Sequence, residues 1–136
     1  MVEVNIIYQG QLHCEATHGP SGAVIQTDAP RDNMGRGESF SPTDLVATAL
    51  GSCMLTVMGI AARTLGIDIE GVKISVSKEM HPAPNRKISR LSVVMDFPMQ
   101  LSDDNRRKLE HAALSCPVHK SLSPDIDIPI KFNYTN

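Results

Sequence analysis

Apolar and polar positions alternate, then run together, then alternate again along this chain, and that order predicts its elements. Val2 to His18 (VEVNIIYQGQLHCEATH) alternates as two short strands turning near Gln9 and Gly10. Gly19-Pro20-Ser21-Gly22 is a turn and Ala23 to Thr27 a third strand, so the opening reads as an antiparallel meander. Asp28 to Phe40 (DAPRDNMGRGESF) is polar and glycine-containing, which predicts a loop. The alternation then stops. Ser41 to Gly66 (SPTDLVATALGSCMLTVMGIAARTLG) reads as one helix, uncharged from Leu45 to Ala62. Ser41 is a good N-cap, Pro42 suits the first helical position, and Asp44 completes a capping box. Arg63 suits the negative end, and Gly66 is a natural left-handed cap with Ile67 beyond it. A helix apolar on all sides is either a domain core or a membrane span. Its length touches the lower limit for a span, but Thr48, Ser52, Thr56, Gly51 and Gly59 break the apolar run, and the flanks read as β structure. The expectation is a buried core helix and no membrane span.

Beyond that helix the period of two returns. Ile67 to Glu79 sets Val72, Ile74 and Val76 against Lys73, Ser75 and Ser77, which predicts a long half-buried strand. His81 to Asn85 is a turn, and Lys87 to Met95 (KISRLSVVM) pairs back as a hairpin. Ser102 can cap a second amphipathic helix, with Leu109, Ala112 and Ala113 as its apolar stripe and an end near Ser115. Cys116-Pro117 interrupts it, and Val118 to Leu122 can form a further helical turn. Ile126 to Tyr134 (IDIPIKFNY) is a last strand, and Pro129 places it more comfortably on an edge. Three strands, helix, two strands, two helices and a strand make an α+β arrangement, expected as a single domain over residues 1–136.

Composition narrows the function more than the fold. A formal net charge of -2 gives no general attraction to nucleic acid or to anionic membranes. With no Trp, two Tyr and three Phe, the core is aliphatic, and seven Met are at hand to fill gaps. MVEVNIIYQG lacks the basic start and apolar run of a secretory signal, and three Cys form no disulfide framework. Both features predict a reducing, cytoplasmic setting.

The cysteines are therefore candidates for chemistry. Cys53 lies on the central helix, one turn from Ala49, Leu50, Thr56 and Val57, where a free thiol also serves as a small core residue. Cys116, just before Pro117, is placed at a helical N-terminus, where backbone N–H groups favour a thiolate and lower its pKa. Cys14, on an early strand, reads as structural. His119, three positions after Cys116, can share a helical face with it. No second closely spaced ligand pair accompanies it, so neither a metal nor another cofactor is expected. His13, His18, His81 and His111 read as surface or strand positions. Phosphate loops, serine elbows and dinucleotide fingerprints are missing from the sequence. Arg31, Arg36, Glu38 and Asp44 are the charged groups nearest in sequence to the central helix, and an Arg that reached Cys53 would lower its pKa.

At SPTDLVATALGSC and again at SCPVHKSL the chain resembles the OsmC/Ohr superfamily of osmotically inducible and organic hydroperoxide resistance proteins. Two motifs in the family's order carry the resemblance, and it extends over nearly the whole chain. It implies antiparallel sheets around a buried, cysteine-bearing central helix, in an intertwined homodimer with sites at the subunit interface. It also implies a thiol peroxidase acting on organic hydroperoxides. Cys53 would be the peroxidatic thiolate and Cys116 the resolving thiol, and a dithiol reductant of the lipoyl type would reopen their disulfide. Where the family's peroxidases carry a Glu, this chain has Thr43. Their early Arg has no counterpart near Gln9 to Gln11, which leaves Arg31 as the best substitute and Arg36 as the second. The Leu-Gly-Ser-Cys wording is closer to the less characterised OsmC-like branch. Two other readings stay open: a module that binds a small apolar molecule with redox-silent cysteines, and a structural zinc protein.

Overall fold

Short β-branched runs separated by glycine turns build the first part of the chain. β1 (Val4–Tyr8), β2 (His13–His18) and β3 (Val24–Asp28) form an antiparallel meander in that order, with Val4 opposite His18 and His13 opposite Asp28. The computed structural model describes residues 1–135. Their contacts divide the chain into two compact units, Met1–Val46 and the residues from Ala47 onward.

In the first unit, every residue of β1 is exposed, including Ile6, Ile7 and Tyr8, and so are Val24 and Ile25 of β3. The loop after β3 is ordered by its own contacts. It holds a short 3-10 turn at Arg31–Asn33, which the sequence did not announce. The loop also packs backbone against backbone: a Cβ on Gly35 would fall 1.8 Å from the Ala29 carbonyl oxygen, so only glycine fits. Ser41 closes the unit as the N-cap of the long helix α1 (Pro42–Leu65). The Ser41 N–H donates to the Asp44 carboxylate at 2.9 Å, and the Asp44 N–H donates to Ser41 Oγ at 3.1 Å. This is the reciprocal capping box expected.

The second unit carries the core. From Leu50 onward, α1 buries Leu50, Met54, Met58 and Ala62, spaced four apart along one face. They meet Leu91, Val93, Met95 and Phe97, the alternate residues of β5 (Ile88–Phe97), in one cluster with Leu109, Ala113 and Cys116. β4 (Lys73–Met80) pairs antiparallel with β5, as the hairpin pattern requires. Gly51 lets β4 come close, since a Cβ there would sit 3.1 Å from Val76 Cγ2. α2 (Asp103–Leu114) starts at Ser102, whose Oγ accepts the Asn105 N–H at 3.1 Å. α3 (Pro117–Ser121) follows, and β6 (Ile130–Tyr134) completes a sheet of order β4-β5-β6.

Three expectations need correction. The central helix is buried along one stripe, not all round: Thr48, Ala49, Ser52, Thr56 and Ile60 are exposed. It is long and apolar enough to cross a membrane, yet its Leu50, Met54 and Met58 are fully buried within the chain's own core. The sheets are not wholly antiparallel, because β6 runs parallel to β5. The connection through α2 and α3 is long enough to return the chain in the same direction, which a tight turn cannot do. Finally, β4 begins at Lys73, not at Ile67. The Asp68 carboxylate takes the Glu70 N–H at 2.8 Å, and Gly71 has φ 98°, so the chain turns before it extends. Pro129 sits just before β6 on the sheet edge, where its missing N–H costs no ladder bond.

Candidate functional site

Two of the three sequence-predicted site residues meet in the second unit. Cys53 is half-buried on α1, between the buried stripe of Leu50 and Met54 and the exposed Ser52 and Thr56. Cys116 has no exposed surface. It stands where α2 ends: the Ser115 and Cys116 N–H groups close the last turn on Ala112 and Ala113. Pro117 has no N–H to continue that pattern, and its fixed φ starts α3. Cys116 is the N-cap of α3, and its Sγ accepts the His119 N–H at 3.5 Å.

The Cys53 and Cys116 side chains lie close enough to perturb one another, and all three cysteines are free. Burial pushes the Cys116 thiol above its ordinary 9.0, and the adjacent Cys53 sulfur pushes the same way. Backbone N–H groups of His119 and Val118 pull it down but are outweighed. The sequence led us to expect a lowered value, because a helical N-terminus favours the thiolate. Desolvation wins over one short turn of donors. Cys116 is thus held as a protonated thiol beside Cys53.

Arg31, the third predicted residue, belongs to the first unit. It opens the 3-10 turn, and its Nε donates to the Arg36 carbonyl at 3.3 Å within the same loop. Arg36 lies 3.6 Å from the Asp28 carboxylate. Asp44 serves the cap of α1, and the Thr43 hydroxyl is 3.2 Å from Ser41 Oγ. Among the described residues there is no group of three or more His, Cys, Asp or Glu side chains placed to hold a metal ion. Cys14 is half-buried on β2, opposite Tyr8 and Thr27.

The family model for OsmC-like protein matches residues 35–131 of this chain, a span that contains Cys53 and Cys116. The chain belongs to that family. A crystal structure from Psychrobacter arcticus 273-4, of a protein provisionally described as an osmotic stress induced and detoxification response protein, is 44% identical. The match covers 98% of this chain and 96% of that one, with a TM-score of 0.92. The OsmC like protein from Mycoplasma pneumoniae shares the fold at a TM-score of 0.82 and 14% identity, covering 100% of this chain and 98% of its own. So does an organic hydroperoxide resistance protein OsmC from Legionella pneumophila, at 0.75 and 16% identity, covering 98% and 96%. A search among curated proteins finds no match.

Two polar clusters of this OsmC-like protein were not singled out from its sequence. In the first unit, His13 Nδ1 lies 2.6 Å from the Asp28 carboxylate, and Asp28 is only 2% exposed. Its carboxyl is held below the ordinary 3.8, chiefly by the His13 hydrogen bond, against the opposing cost of burial. In the second unit, Tyr134 donates to Glu110, stacks on Phe97 at 4.6 Å, and lies under the Arg106 guanidinium at 4.3 Å. Burial, and then the Glu110 hydrogen bond and charge, push the Tyr134 hydroxyl up, so it stays a donor. Hairpin register could have paired His13 with Asp28. Nothing in the spacing of Glu110 and Tyr134 could have paired those.

Proposed function

We propose that this OsmC-like protein is a thiol peroxidase that reduces organic hydroperoxides to alcohols. The observation that carries the reading is the meeting of Cys53 and Cys116 side chains across the second unit. The half-buried Cys53 is the sulfur a substrate can reach, and as a thiolate it would attack the terminal peroxide oxygen. The O–O bond breaks, alkoxide leaves and takes a proton, and Cys53 becomes a sulfenic acid. Cys116 already lies beside it; its sulfur displaces hydroxide from the sulfenic acid, which leaves as water, and a disulfide forms. An external dithiol restores both thiols. Apolar side chains near Cys53, among them Met54 and Val57, favour an organic peroxide over hydrogen peroxide. Arg31 is the proposed cation for thiolate activation, with Arg36 as its alternative; the Arg36 pairing with Asp28 favours Arg31 of the two.

A homodimer completes this reading. The exposed Val4, Ile6, Ile7, Tyr8, Val24 and Ile25 of the meander, and the exposed Ala49, Ser52, Thr56 and Ile60 stripe of α1, form apolar and small-residue surfaces that a second copy would cover. Three free thiols suit a cytoplasmic setting.

The test is a free-thiol count and intact mass after about one equivalent of cumene hydroperoxide. Wild type should lose two thiols and about two mass units, and Cys53→Ser and Cys116→Ser should each fail to do so. Persistence of all thiols in wild type would reject the peroxidase. A second reading would then stand, a module for a small apolar molecule. What favours it is Thr43, whose hydroxyl is tied to the Ser41 cap where the peroxidases carry a Glu.

A further inference from the structure

We propose that the dithiol reopens the Cys53–Cys116 disulfide by attacking Cys53, so that Cys116 departs as the leaving thiolate. This rests on the reading above only for the existence of the disulfide. Exchange requires a thiolate to approach the sulfur it attacks, so which sulfur reacts depends on access as well as acidity. Cys116 has no exposed surface and packs into the core with Leu109 and Ala113. Cys53 is half-buried on α1 where Cys116 is sealed, and it is the sulfur through which a peroxide would enter the cycle. Whatever opening admits the peroxide therefore admits the reductant to the same atom.

Leaving-group acidity works against this direction. Burial holds the Cys116 thiol high, and a thiol of higher pKa leaves more slowly. Access decides between the two, because a sealed sulfur is not attacked whatever the acidity of its partner. The structure also provides for the departing charge: the His119 N–H already points at Cys116 Sγ at 3.5 Å. In the step itself, a new S–S bond joins the reductant to Cys53 and the Cys53–Cys116 bond breaks. Its electron pair passes to Cys116, which takes up a proton readily because burial disfavours its anion. The second thiol of the reductant then attacks its own linked sulfur, releasing Cys53 and carrying away the new disulfide. The dithiol supplies two electrons, and both protein thiols return.

The test uses the full chain with Cys14→Ser, oxidised with diamide so that disulfide formation does not depend on peroxidase activity. A brief incubation with excess 2-mercaptoethanol, an acid quench, N-ethylmaleimide and peptide mapping locate the mixed disulfide. Mercaptoethanol should appear on Cys53 and maleimide on Cys116, by on the order of tenfold or more over the reverse pattern. An adduct mainly on Cys116, or shared equally, would overturn the inference, as would failure of diamide to join the two sulfurs. A parallel sample treated with cumene hydroperoxide separates the two claims. A disulfide formed by diamide but not by peroxide rejects the peroxidase, while the mapped adduct still decides the direction of attack.

Discussion

Asp28 and Ser41 are the polar side chains that the described residues bury, and each is satisfied within its own unit. Asp28 keeps its charge because His13 sits at 2.6 Å and Arg36 at 3.6 Å, which outweighs the cost of leaving water. A carboxyl lowered on folding contributes stability above its unfolded value and loses it as pH falls toward the folded one. For Asp28 that contribution is present above pH 3.8 and fades below it. Replacing Asp28→Asn should therefore lower the urea midpoint at neutral pH, with the gap to wild type narrowing at about pH 3. An equal gap at both pH values would mean that shape, not charge, sets the role of Asp28. At Cys116 the balance runs the other way. Desolvation there outweighs two backbone donors, so the same kind of helix start that favours a thiolate in an open site holds a thiol in a sealed one.

At the scale of elements, α1 is held by its ends as much as by its face. The Ser41–Asp44 box satisfies two N–H groups that the first turn would otherwise leave open. Ser41→Ala should cost about 1 kcal/mol in urea unfolding, since that is the usual loss for a capping hydroxyl. A change below about 0.3 kcal/mol would show that water replaces the cap at no loss. At the other end, Gly66 takes φ 70° and the Ile67 N–H reaches the Ala62 carbonyl at 3.0 Å, which ends the helix as its glycine required. The period of two in β5 is as explicit: Leu91, Val93, Met95 and Phe97 face inward because alternate side chains share a sheet face.

At the scale of the whole molecule, the meander and the outer stripe of α1 each leave apolar side chains exposed. Val4, Ile6, Ile7 and Tyr8 are each more than half exposed, and Ile60 on α1 is 62% exposed. We expect light scattering to give twice the chain mass, and Ile6→Asp together with Ile60→Asp to shift it toward the single chain. A wild-type mass of one chain would remove the homodimer from the proposal.

The kind and order of the strands and α-helices were legible in the chain alone, because capping residues, glycine and the period of apolar positions act within a few residues of one another. Ser41, Asp44 and Gly66 bounded α1, and alternation marked β4 and β5. The motifs around Cys53 and Cys116 placed the chain in its family, and 44% identity over nearly its full length agrees. That β6 lies parallel to β5, that α1 buries one stripe and that the two thiols adjoin emerged from the folded chain. It alone also reversed the expected acidity of Cys116. These outcomes depend on packing between segments far apart in sequence, and on how much water that packing removes, neither of which local spacing records.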